Sequence, residues 1–75
     1  MNVYKFIPNG HYLGHIIIAA PNVLEAVKII STNEFFESIY VHDCCEWAKI
    51  DGLEYNKEPC ILLYNIVDRR QFCGY

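Results

Sequence analysis

The sequence is poor in residues that break or dissolve structure: four glycines and three prolines in 75 residues, with charged side chains at 20%. A disordered or collagen-like chain needs the reverse composition, so a folded body is expected. Long apolar runs are missing too. The longest, Ile16-Ile17-Ile18-Ala19-Ala20-Pro21, falls far short of the ~20 residues of a spanning helix, and no membrane partner is expected. No basic stretch leads into an apolar one around Met1-Asn2-Val3-Tyr4-Lys5, so no secretory leader is expected and the reading is cytoplasmic. Positive charge is scarce. Of six Lys and Arg, only Arg69 and Arg70 are adjacent, which argues against direct nucleic-acid binding, since that needs a clustered basic surface. Gly10-His11-Tyr12-Leu13-Gly14 lacks the continuation of a phosphate-binding loop. There is no internal repeat and no linker, and residues 1–75 read as a single compact domain.

What the chain has in excess is apolar and aromatic surface. It is 53% hydrophobic, with six Tyr, four Phe and one Trp. A chain of this length buries only ~60% of the surface it exposes when unfolded, and each aromatic ring brings ~150–250 Å². So small an interior cannot hold them all. Some rings must face solvent or another chain, which points to a binding surface or a homodimer.

The local pattern is α+β. Val3–Ile7 and His11–Ala19 read as strands joined by a turn at Ile7-Pro8-Asn9-Gly10. Gly14 marks a bulge or a close backbone approach. The unbroken Ile16-Ile17-Ile18 places the second strand centrally, covered on both faces. Asn22 and Glu25 form a capping-box pattern. Val23, Ala26, Val27 and Ile30 follow at i, i+3, i+4 and i+7, one apolar helical stripe. That helix should end at Ser31-Thr32-Asn33. Residues 33–38 suit a short second helix, with Phe35 or Phe36 plugging the sheet edge. Strands are expected at 39–42 and 46–50, and a further central one at 60–64, with turns at Asp51-Gly52 and 56–59. The expectation is a small mixed or antiparallel sheet (hairpin, main helix, then two or three strands) with one main helix on one face.

Charge is uneven along the chain. Residues 34–58 hold Glu34, Glu37, Asp43, Glu46, Asp51, Glu54 and Glu58 against Lys49 and Lys57, a net of −5. Carboxylates interleaved with rings form the kind of surface that steers towards and anchors on a basic protein partner. The expected contact residues are Glu34, Glu37, Tyr40, Glu46, Trp47, Asp51, Glu54 and Tyr55. The layout resembles that of many small proteins of bacteria and their phages, and a non-enzymatic adaptor or inhibitor fits the size, the charge and the aromatic excess. This resemblance is architectural and carries no site residues.

Cysteine and histidine chemistry gives two weaker readings. Cys44 and Cys45 are adjacent, a poor geometry for a mutual disulfide, and reduced thiols are the simpler state. No cysteine pair has the Cys-x₂₋₄-Cys spacing of a zinc knuckle. A zinc-stabilised domain would have to use His42 and Cys45 with Cys60 or Cys73. A His42–Cys44 nucleophile pair requires residues 39–44 to be extended, and lacks an orienting third group. No catalytic residue and no cofactor is assigned. A small-ligand sensor, built at a homodimer interface near the helix, is a further alternative.

Overall fold

A computed structural model describes residues 1–43 and 45–68, the side chains of 41–43 excepted. Strands β1 (Asn2–Ile7) and β2 (Tyr12–Ala20) form the expected hairpin, in a register running from Asn2↔Ala20 to Phe6↔Ile16. Alternation sorts their side chains. Tyr4, Phe6, Ile16, Ile18 and Ala20 point to one face and are buried in the core. Lys5, Ile7 and Ile17 point to the other.

Two helices cover the first face. In α1 (Val23–Ser31) the Asn22 side chain accepts from the Glu25 N–H at 2.9 Å, which satisfies one of the helix's unpaired donors. Ala26 and Ile30 are its buried residues. The Ser31 and Thr32 hydroxyls turn back onto the carbonyls of Val27 and Lys28, and the helix stops there. Asn33 starts the next one. Its side-chain oxygen accepts from the N–H groups of Phe35 and Phe36, and α2 runs Glu34–Asp43.

The expected α+β fold of hairpin, helix and two further strands is present. The short second helix expected at 33–38 corrects one reading: it runs on, so that residues 39–42 are helical, not a strand. The cap at Asn33, together with Phe36, Ile39 and Tyr40 at helical spacing, outweighs the strand preference of Ile39, Tyr40 and Val41. Phe36 and Ile39 are buried, and the Tyr40 ring meets Phe6 edge-on at 6.0 Å.

The remaining strands complete an antiparallel sheet in the order β3-β1-β2-β4. The short β3 (Glu46–Lys49) pairs with β1, and β4 (Cys60–Asp68) pairs with β2. β2 is therefore central as expected. The run at 60–64 is not: it begins the outermost strand on that side among the described residues, where Leu63 is 52% and Tyr64 58% exposed. The register slips between Ile17 and Ile18, so that Leu62 is the extra residue of a bulge. Gly14 answers to a close approach, since a Cβ there would overlap the carbonyl oxygen of Asn65. β2 also outruns β1, and Tyr12 to His15 pair with β4 only.

Because β3 and β4 lie at opposite edges, residues 50–59 must cross the sheet. The crossing is tied to β1 by the Ile50 N–H donating to the Val3 carbonyl (2.9 Å) and the Tyr55 N–H to the Met1 carbonyl (3.1 Å). Tyr55 then meets Cys60 on β4. At this end of the sheet Val3 and Ala19, on the helix-free face, are buried. The rest of that face is not covered by described residues, and Ile17 on β2 is only half-buried. The expected cover on both faces of β2 is thus met in part.

Candidate partner-binding surfaces

The eight expected contact residues do not form one patch. Glu34 and Glu37 are exposed on the first turn of α2, the end whose Phe36 packs against Tyr64 of β4 at 5.0 Å. Tyr40 is half-buried against Phe6. Trp47 lies at the opposite edge of the sheet. It faces the helix side beside Phe6, while its neighbour Glu46 pairs with Ile7 and faces the other side. Tyr55 is half-buried beneath that second side.

Of the three rings expected at the surface, Trp47 is the one in solvent, at 49% exposure. Its indole is held edge-on to Tyr4 at 5.9 Å, an arrangement that fixes a ring without burying it. Tyr4 is itself fixed, because Asn2 Nδ2 donates to its hydroxyl at 3.2 Å and also to the Pro21 carbonyl. Two residues beyond Trp47 on the same face, Lys49 opens a polar trough of about 370 Å³ lined also by Asn2, Ile50, Asp51, Gly52, Leu53 and Glu54. Gly52 takes φ 81° in the turn expected at Asp51-Gly52. That conformation presents Asp51, Leu53 and Glu54 together at the rim. Asp51 and Glu54 thus share the trough with Lys49, and Trp47 stands two residues before Lys49 on the same strand and face, with Glu46 on the opposite face.

A second concave surface was not expected from the sequence. A groove of about 620 Å³ lies between the start of α2 and β4, lined by Asn33, Phe35, Phe36 and Ile61 to Tyr64. Adjacent residues on a helix point ~100° apart, so only one of the Phe35–Phe36 pair can enter the core. Phe36 does, leaving Phe35 54% exposed at the groove mouth with its ring 5.1 Å from that of Phe36. That pairing was the available signal.

The cysteine readings fare differently. Cys45 precedes β3 at the Ile7 end of β1, its thiol directed at the Ile39 carbonyl under the helices. Cys60 pairs with Ala19 at the other end of the sheet, on the helix-free face, and its sulfur and the Tyr55 hydroxyl are hydrogen-bonded at 3.7 Å. Four residues of strand, ~13 Å, separate those ends. Cys45 and Cys60 thus cannot share an ion, and among the described residues no group of three or more His, Cys, Asp or Glu side chains could hold one. Cys44, Cys73 and the His42 side chain lie outside the described residues. The extended backbone that a His42–Cys44 pair requires is replaced by the last turn of α2.

Hydrogen bonding with Cys60 raises the Tyr55 phenol above its usual range, with smaller contributions from burial and from the charge of Cys60. No helix among the described residues is long and apolar enough to cross a membrane. No family model, curated protein or solved structure matches this chain.

Proposed function

We propose that the chain is a non-enzymatic protein-interaction module, an adaptor or inhibitor that docks a basic segment of a partner protein along the Trp47 end of the sheet. The observation that carries this reading is a half-exposed tryptophan fixed against Tyr4, two residues along β3 from Lys49, which lines a trough with Asp51 and Glu54. Large rings at the centre of a contact supply most of the binding energy when they are desolvated. The carboxylates around them set partner choice and association rate more than affinity. Lys49 in the trough favours a partner that brings an acceptor as well as cations.

The test is capture from the native host followed by titration of the purified partner. Trp47→Ala should weaken binding at least tenfold, the range of a hot-spot truncation. Reversing Glu46, Asp51 and Glu54 to Lys should slow association and flatten its salt dependence. A partner bound equally well by both variants overturns the proposal.

A further inference from the structure

The two edges of the sheet are built differently. β3 is four residues long and carries Glu46 and Lys49, the short, charged form in which proteins protect an edge. β4 is nine residues long, has no proline, is uncharged from Cys60 to Val67, and has the bulge at Leu62 as its one edge device. Among the described residues no strand pairs with its outer side. Such an edge leaves a row of backbone N–H and C=O groups to be satisfied, and the ligand that matches it is another extended strand. Alongside runs the apolar groove, with Phe35 and Tyr64 each more than half exposed.

We propose that β4 is a self-association edge: a second copy of the chain adds its own β4 antiparallel to the first, joining two four-stranded sheets across a two-fold axis. Three observations select a second copy over a foreign peptide. Antiparallel pairing of one strand with itself is its own symmetric complement, so a single surface serves both partners. The stretch from Cys60 to Val67 presents no charge with which to choose an acidic or basic peptide, whereas self-pairing sets the two Asp68 carboxylates at opposite ends of the ladder. The exposed parts of Phe35, Leu62 and Tyr64 come to roughly 300 Å² per protomer, somewhat over a third of what each partner buries in a standard interface. The strand backbone and the groove walls contribute the remainder. This edge is opposite the Trp47 rim, and the inference does not rest on the function proposed above.

Sedimentation of the purified chain over a wide concentration range tests it. The expected result is a monomer–dimer equilibrium that Leu62→Lys and Tyr64→Lys each weaken at least tenfold and that Trp47→Ala leaves unchanged. Leu63→Lys, on the helix-free face beside Ile17, separates edge pairing from face-to-face stacking. A chain that stays monomeric throughout, a dimer untouched by the Leu62 and Tyr64 variants, or one dissociated by the Leu63 variant alone overturns the proposal. Should the lysine variants unfold, hydrogen exchange of the unaltered chain decides. Amide protection in β4 that rises with concentration, while β3 does not change, is the expected pattern. Protection that is independent of concentration refutes it.

Discussion

Gly14 sits at φ 113° near the start of β2, where a side chain would be driven into the backbone of Asn65. Neither partner can yield, because both belong to the same ladder. Gly14→Ala should therefore cost at least ~3 kcal/mol or abolish folding, measured by urea denaturation. Gly52 gives the contrasting case. It also has positive φ, but a Cβ there meets open space, so Gly52→Ala should cost only ~1 kcal/mol from backbone strain. Tyr55 makes the chain sensitive to alkali. Its phenol is raised in the folded state, so the folded chain keeps a proton that the unfolded chain gives up. This contribution to stability is complete below the ordinary tyrosine pKa of ~10 and is lost as pH climbs through the raised value. Denaturation midpoints compared between pH 9 and 11 should fall less steeply in Tyr55→Phe than in the unaltered chain.

The elements differ in how far the sequence discloses them. The hairpin and α1 were legible because each is written in local terms: a Pro-Asn-Gly turn, a capping asparagine, one apolar stripe. The start of α2 was legible and its extent was not. Ile39, Tyr40 and Val41 have the composition of a strand, and only tertiary burial of Phe36 and Ile39 beside Asn33's cap resolves the conflict. β4 misled for a related reason. An apolar run is the mark of a buried strand only if something covers both of its faces, and sequence alone does not say which strands end up at an edge. Trp47, Asp51 and Glu54 were singled out through their residue types. The division of the acidic segment between two edges followed from the sheet order, which no local pattern encodes. The Phe35–Phe36 pair tests this account of α2. Phe36→Ala should lose ~3–5 kcal/mol as a core truncation. Phe35→Ala should change the stability of the monomer by less than ~1 kcal/mol, with thermal denaturation at low concentration as the measurement.

For the molecule as a whole, the helices and the sheet leave exposed surface at two separate edges. One edge is charged and centred on a single indole, the other neutral and built from a strand. Raised salt should accordingly weaken capture through the Trp47 rim and leave association through β4 nearly unaffected, a comparison that binding titrations at low and high ionic strength make directly. The sheet order has a consequence for assembly. β1 and β2 are neighbours in sequence, but β2 obtains its second partner from the far end of the described chain, some forty residues later. Until that strand docks, the Ile16-Ile17-Ile18 stretch is itself an unprotected margin, and sticky. During synthesis and refolding alike, the most adhesive part of the protein waits for the last strand to arrive, so recovery of native material should be governed by crowding at that step more than by the strength of the finished core.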